Sequence, residues 1–158
     1  MISMSLKSAK QSNYEMAYTL LCRQIAEEYR HHEYVLRGDV LSEAEKHRYQ
    51  LIMDLERDEK LYVDSLKFLS GCLKRYHGSN VIILVDDHDV PLENAFFKGF
   101  YEQMTDFIRS LFESALKTND HLEFAIVTGC LRINSDAPSS LGSKTPRQAF
   151  KARVFSRA

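Results

Sequence analysis

The stretch VIILVDDHDVPL at residues 81–92 constrains the fold of this chain more than any other. Its first five residues are apolar and mostly β-branched. Such a run is too short to span a membrane and too uniformly apolar for a half-exposed strand. Runs of this kind are typical of strands buried on both faces of a parallel sheet that helices cover. The stretch therefore predicts a central strand of an α/β domain.

Three carboxylates follow this strand directly, those of Asp86, Asp87 and Asp89. Like charges within four residues repel one another, and a bound cation, most often a metal ion, removes that cost. In open α/β sheets, ligands bind in the crevice beyond the carboxyl ends of the strands. We therefore expect the functional site at the end of this strand.

The remaining pattern alternates strands with helices. Residues 2–6 predict a short strand, and LEFAIVT at 122–128 predicts a second buried strand. Apolar residues at helical spacing predict four helices between them, near residues 12–31, 42–57, 59–77 and 96–117. Strands separated by helical crossovers form parallel sheets with right-handed connections. The chain is thus expected to fold as an α/β domain with a parallel sheet of about three strands and flanking helices.

Two of the helix starts carry a capping signature. Ser12 with Glu15, and Ser42 with Glu45, match the spacing of a capping box. The last predicted helix is rich in phenylalanine at i, i+3 and i+4 spacing, which predicts that its aromatic stripe packs in the core.

Composition sets wider limits. A chain of 158 residues with 44% hydrophobic and 27% charged residues fits one globular domain. Its net charge of -1 gives no argument for a nucleic-acid or membrane partner. Three widely spaced cysteines without a CxxC motif do not indicate a disulfide framework or zinc ribbon. With no signal peptide or membrane helix in the sequence, we expect a cytoplasmic protein.

The carboxyl-terminal segment differs from the rest. From residue 134 onward serine, proline and basic residues dominate, and no acidic residue follows Asp136. We predict a domain over residues 1–133 and a flexible basic tail over 134–158. Basic tails contact phosphate backbones or are only solvated, so a nucleic-acid partner stays open. The basic residues of this tail are Lys144, Arg147, Lys151, Arg153 and Arg157.

MSLKSAKQ near the amino end, the helix-rich middle and residues 81–133 together resemble the bacterial AAA-ATPase-like domain family. Members of that family usually carry a restriction-endonuclease-like nuclease domain downstream. In the family, apolar residues are followed by DEYD and PL, and a later strand ends in TG before a basic residue. The resemblance covers about residues 2–133 and implies a partial P-loop NTPase-like fold.

The resemblance also implies roles for individual residues. It places Asp86 at the Walker B aspartate, Asp87 at the adjacent catalytic acid and Thr128 at the polar sensor position. Arg132 matches the basic residue after the second strand. In such ATPases the first aspartate holds Mg²⁺, usually through water, and the next acid orients the attacking water. The implied cofactors are Mg²⁺ and ATP, with Asp86 binding the cofactor, Asp86 and Asp87 as metal ligands, and Asp87, Thr128 and Arg132 as catalytic residues.

Two departures from the family limit the expected activity. No GxxxxGK[ST] phosphate loop occurs, and Gly142–Thr145 lacks both the second glycine and a preceding strand. Family members place that loop before the segment equivalent to Ile2, so we expect a domain truncated before the Walker B strand. Asp87 replaces a glutamate, which retracts the carboxylate by about 1 Å, enough to slow catalysis strongly. The chain is therefore expected to contribute to Mg·ATP binding without hydrolysing ATP alone.

Two other classes of function stay open. The first is a metal-dependent nuclease or hydrolase that uses the aspartates directly. Separately, His88 and His121 are candidates to join the aspartates in a metal site. The second is a non-catalytic interaction module. In the family fold the first strand would lie beside the strand at 122–128, so that edge is predicted to be open for pairing with another chain. The expected partners are nucleotide in the full-length context and a downstream nuclease domain or partner chain.

Overall fold

A computed structural model of the chain describes residues 1–131 and 149–156 and contains a single four-stranded sheet. The strands β1, β2 and β3 run parallel to one another, and β4 runs antiparallel to β3. Their order across the sheet follows the sequence. The predicted α/β fold with three parallel strands is confirmed. The strands are β1 (Ile2–Ser5), β2 (Val81–Asp86), β3 (Leu122–Leu131) and β4 (Ala149–Ser156).

Helices connect the parallel strands. Four of them lie between β1 and β2: α1 (Tyr14–His31), α2 (Glu43–Met53), α3 (Glu59–Val63) and α4 (Ser65–His77). Two more lie between β2 and β3: α5 (Val90–Lys98) and α6 (Tyr101–Phe112). Shorter helical turns occur at Lys7–Ala9, Glu33–Arg37 and Glu113–Lys117. None of the described helices combines the length and apolar character needed to cross a bilayer.

The capping predictions are half right. Ser42 and Glu45 form a reciprocal capping box, in which the Glu45 N–H donates to Ser42 Oγ at 3.3 Å and the Ser42 N–H donates to Glu45 Oε2 at 2.9 Å. At the start of α1, however, Asn13 takes the cap position in place of Ser12. Its side-chain oxygen accepts a hydrogen bond from the Met16 N–H at 2.9 Å. Asparagine is as good an N-cap as serine, so Asn13 can replace Ser12 as the N-cap of α1.

Several predicted helices are interrupted. The helix expected to reach residue 57 ends at Met53, and the next one breaks at Asp64 between α3 and α4. The phenylalanine-rich helix breaks at Gly99, which adopts a left-handed conformation with φ +81°. Because of this break, Phe96 and Phe97 are 67% and 70% exposed, so the prediction that they pack in the core is wrong.

The sheet is covered by helices on one face. Successive right-handed crossovers taken in one direction place all connecting helices on the same side. Ile83 and Val85 of β2 are no more than 1% exposed, whereas Ile82 and Leu84 on the opposite face stay partly exposed. The prediction that this strand is buried on both faces is therefore wrong. The same half-exposed face continues on β3 at Phe124 and, one alternation further, at Ile126.

A buried carboxylate closes the outer edge of β1. Glu28 of α1 is only 5% exposed and accepts a hydrogen bond from the Ser3 N–H at 2.9 Å. His31 Nδ1 and His32 Nε2 lie 3.1 and 3.2 Å from its two oxygens. Burial alone raises the pKa of Glu28, but these hydrogen bonds outweigh it and hold the pKa below its usual value. Glu28 thus satisfies a backbone donor that an edge strand otherwise leaves unpaired.

Strand β4 departs from the predicted tail. Residues 134–158 were expected to be flexible, but 149–156 pair with β3 from Phe124 to Leu131. Apolar Phe150, Ala152 and Val154 alternate with basic residues, which is the period of a strand. The edge of β3 that was predicted to be open is therefore paired with β4. Residues 134–148 and 157–158 of the predicted tail lie outside the described residues.

Candidate functional site

The carboxyl ends of β1 and β2 lie side by side, next to Thr128 in the second half of β3. Ser5 of β1 pairs with Asp86 of β2, and Val85 pairs with Val127 of β3. Thr128 follows Val127, so Ser5, Asp86 and Thr128 form one row across adjacent strands. Side chains in such a row share one face of the sheet. This row lies on the face that the described helices leave half exposed.

Asp86 is held by one of its carboxylate oxygens. Its Oδ1 accepts hydrogen bonds from the Thr128 hydroxyl and from the Asp87 N–H, the latter at 2.9 Å. Within the described residues no hydrogen bond reaches Oδ2, and the side chain is exposed. One oxygen thus fixes the carboxylate while the other is available to solvent or a cation.

Asp87 points away from this pair. Ser5 Oγ donates a long hydrogen bond of 3.4 Å to Asp87 Oδ2, so this carboxylate faces β1 while Asp86 faces β3. The backbone of Asp87 is left-handed, with φ +55°. This conformation costs a non-glycine residue about 1 kcal/mol, although aspartate adopts it more readily than most. Strained residues of this kind cluster at functional sites.

His88 and Gly129 hold Thr128 in place. The backbone N–H and the ring Nδ1 of His88 lie 3.2 and 2.8 Å from the Thr128 carbonyl oxygen, so the ring Nδ1 carries the proton and donates. A Cβ atom on Gly129 would lie 2.7 Å from His88 Nδ1 and 2.6 Å from Asp89 Oδ1. Only glycine therefore lets the histidine reach the Thr128 carbonyl.

Asp89 belongs to the structural support of the site. It is 8% exposed and directly precedes α5. A negative charge at the start of a helix is stabilised by the helix dipole. Its Oδ1 is buried and has no hydrogen-bond partner among the described residues. Of the three carboxylates in the predicted cluster, Asp89 is thus the one least available to a ligand from solvent.

The other candidate residues do not join this site. His121 directly precedes β3, at the opposite end of the strand from Thr128, and His88 uses its Nδ1 on a backbone carbonyl. The alternative in which both histidines bind one metal with the aspartates is therefore wrong. Within the described part of the chain no three histidine, cysteine or acidic side chains come together as a metal site. Arg132 and Gly142–Thr145 lie outside the described residues.

The donor set at the strand ends fits hydrated magnesium. Mg²⁺ prefers oxygen ligands, keeps several waters and binds proteins through one or two carboxylates together with substrate phosphates. The exposed carboxylate of Asp86 supplies such an oxygen and the Thr128 hydroxyl lies beside it, whereas the Asp87 carboxylate is turned toward Ser5.

Sequence reasoning found Asp86, Asp87 and Thr128 but missed their support. Ser5 and His88 act through contacts between strands, which depend on register and cannot be counted along the chain. The sequence did contain one indication of this support. Gly129 directly follows Thr128, and a glycine inside a strand often marks a place where another part of the chain packs closely against the backbone.

Comparison with known proteins identifies a family for this chain. The family model described as a predicted AAA-ATPase matches residues 1–137. Neither the curated proteins nor the solved structures contain a match. The match includes both strands that carry the site, and extends over 137 of the 158 residues. The chain belongs to the AAA-ATPase-like family.

Proposed function

We propose that this chain forms the magnesium-binding half of an AAA-ATPase-type nucleotide site. In this proposal Asp86 is the Walker B aspartate, Asp87 occupies the position of the catalytic acid, and Thr128 is the polar sensor. The phosphate-binding half, which needs a glycine-rich loop, comes from another segment or chain. The chain alone therefore does not hydrolyse ATP.

One observation carries the proposal, the hydrogen bond from the Thr128 hydroxyl to Asp86, which joins β3 to the carboxyl end of the adjacent parallel strand β2. Ligands of open α/β sheets bind at this place because neighbouring strands direct their last side chains into one crevice. Thr128 fixes one carboxylate oxygen and so orients the other oxygen toward solvent. This arrangement positions Asp86 before any ligand arrives.

The residues have separate tasks in this proposal. Asp86 holds the hydrated ion, which when bound offsets the charge of the nucleotide phosphates. Asp87 accepts a hydrogen bond from water at the site. Its retraction by one methylene relative to glutamate, and its hydrogen bond with Ser5 at 3.4 Å, both hold its carboxylate back from the metal side. Asp87 is therefore a weak base at best, which agrees with a half-site that binds without turnover.

The uncovered face of the sheet supports a completing element. Parallel sheets occur almost only with both faces covered. Here Ile82, Leu84, Phe124 and Ile126 stay partly exposed on the face that carries Asp86. We propose that the segment or chain that supplies the phosphate loop also covers this face, and that a fused nuclease domain or a separate partner chain belongs to the same assembly.

Mn²⁺, which takes the same oxygen ligands as Mg²⁺, tests the metal half directly by NMR. We expect paramagnetic broadening of the amides of Asp86, Asp87 and Thr128 at low Mn²⁺ concentrations. Asp86→Asn should remove this broadening, because an amide is a poor ligand for a hard cation. Asp106→Asn, which alters an exposed carboxylate on α6, is the matched control and should leave it unchanged.

Calorimetric titration with Mg·ATP tests the other half of the proposal. The chain alone should show no micromolar affinity, since nothing in its sequence forms a phosphate loop. Micromolar binding or ATP turnover by the isolated chain would contradict the half-site. Broadening that survives Asp86→Asn would contradict the metal site. A plasmid-cleavage assay in Mn²⁺ separates this function from a metal-dependent nuclease, which would cut DNA and lose activity with Asp86→Asn.

A further inference from the structure

A second cleft, remote from the strand ends, carries excess positive charge. It has a volume of about 320 Å³ and lies between α2, α4 and the residue before β3. It is therefore at the amino-terminal end of β3, whereas the proposed metal site is at the carboxyl end of the parallel strands. Its charged lining residues are Glu45, Arg48, Asp64, Lys67, Arg75 and His121.

One cationic side chain of the cleft takes no part in the ion pairs within it. Arg48 pairs with Asp64, and Arg75 pairs with Glu45 at 2.7 Å. Lys67 forms no ion pair with the described residues. Three formal positive charges thus face two negative ones, a net charge of +1 in a concave site. Concave walls of low dielectric strengthen the attraction of such a site for an anion.

His121 lies at the centre of these cations. Its ring packs against Gly71 of α4, where a Cβ atom would lie 3.2 Å from the ring. On the same helix Lys67 is one turn before Gly71, and Lys74 and Arg75 are one turn after it. Burial first, and then the charge of Lys74, lower the pKa of His121, with Arg75 and Lys67 adding to the effect.

Two buried nitrogens of this cleft lack a hydrogen-bond partner. They are Nδ1 of His121 and Nε of Arg48, and no described residue satisfies either of them. Buried polar groups in proteins are nearly always paired, so each such atom calls for an explanation. These two come from different elements yet belong to residues that line the same cleft. Both nitrogens are shielded from solvent, so an oxyanion in the cleft accepts from either of them only after the side chains shift.

We propose that this cleft binds a phosphate group through Arg48, Lys67 and His121. A guanidinium, an ammonium and an imidazole are the side chains that proteins use most for charge-assisted hydrogen bonds to phosphate oxygens. They line the cleft from three parts of the chain, α2, α4 and the segment before β3. The site is independent of Asp86 and needs neither metal nor nucleotide hydrolysis.

Titration of the full chain with inorganic phosphate at constant ionic strength tests this site by NMR. We expect saturable shifts of the Gly71 and His121 amides. Lys67→Gln should weaken the binding about tenfold, the loss typical of one charge-assisted hydrogen bond. Lys98→Gln removes an exposed lysine of α5 and is the charge-matched control that should leave the affinity unchanged.

Sulfate, whose charge is constant over the range in which histidine titrates, gives a second readout. A bound dianion favours imidazolium, so saturating sulfate should raise the pKa of His121 in the wild type and less in Lys67→Gln. The other charged groups around the ring are Asp120, Lys74, Arg75, Arg48, Glu45 and Asp64, which sulfate does not remove. Phosphoserine in place of inorganic phosphate distinguishes binding of a phosphate monoester from binding of the free anion.

Two results would overturn the proposal. One is that chloride reproduces the shifts of the Gly71 and His121 amides, and the other is that Lys67→Gln and Lys98→Gln bind phosphate with equal affinity.

Discussion

Among the described glycines, Gly129 has the shortest Cβ contacts, which it makes with the His88 turn, and Gly129→Ala tests this constraint. The added Cβ would meet Asp89 Oδ1 at 2.6 Å and two atoms of the His88 ring at 2.7 and 2.8 Å. Contacts this short force the imidazole off the Thr128 carbonyl. We expect about 1–3 kcal/mol from overpacking and about 1 kcal/mol from the lost side-chain hydrogen bond, together about 2–4 kcal/mol of unfolding free energy.

Urea denaturation followed by far-ultraviolet circular dichroism measures this loss as a lower midpoint with an unchanged slope. Gly38→Ala is the matched control, because its Cβ would lie 3.4 Å from the Tyr76 ring, an ordinary contact, and the backbone is extended. It should stay within about 0.5 kcal/mol of the wild type. Combining Gly129→Ala with His88→Ala should cost less than the sum of the two, since one clash disappears. If Gly129→Ala is as stable as Gly38→Ala, the steric argument for His88 is refuted.

Three further predictions concern single side chains. Asp87→Gly should raise the unfolding free energy by about 1 kcal/mol, because glycine adopts the left-handed backbone without strain; a loss of stability in urea would contradict the strain. Thr128→Val removes the hydrogen-bond donor to Asp86 with little change in side-chain shape. It should weaken Mn²⁺ binding several-fold and lower the unfolding free energy by less than about 1 kcal/mol. A Mn²⁺ affinity equal to that of the wild type would show that Asp86 does not need this hydrogen bond. Glu28→Gln should lower the unfolding free energy by about 2 kcal/mol at pH 7. Because the pKa of Glu28 is lower in the folded state, this stability is present above the unfolded-state pKa near 4.5 and is lost as the pH falls through the folded-state pKa. The unfolding free energies of the two proteins in urea should therefore converge in acid, and a constant difference would contradict the hydrogen-bonded network of Glu28.

The parts of the fold that depend on local pattern were predictable. Alternation and apolar runs located the three parallel strands, and their order with helices between them implied the parallel sheet. Breaks at Asp64 and Gly99 were not predicted, because a short interruption leaves the helical spacing of apolar residues almost unchanged. The half-exposed face of β2 was not predicted, because it depends on which face of the sheet the connecting helices cover. A run of five apolar residues is compatible with a strand covered on one face or on both.

The site was predictable to the extent that it lies at strand ends. Asp86 and Thr128 each end a buried run, so parallel strands bring them together. Ser5 and His88 were missed because their roles come from register and from a turn, and these are set by packing of the whole sheet. Strand β4 was missed because its alternation is short and lies in a segment dominated by basic and small residues.

The carboxylate of Glu28 affects where an additional strand can pair with this sheet. With the Ser3 N–H already occupied, the β1 side offers no free backbone donor at that position to an incoming strand. An additional strand is thus disfavoured at Ser3, and on the opposite side of the sheet β4 already occupies the hydrogen-bonding groups of β3 from Phe124 to Leu131. A strand added on the β3 side would therefore have to replace β4.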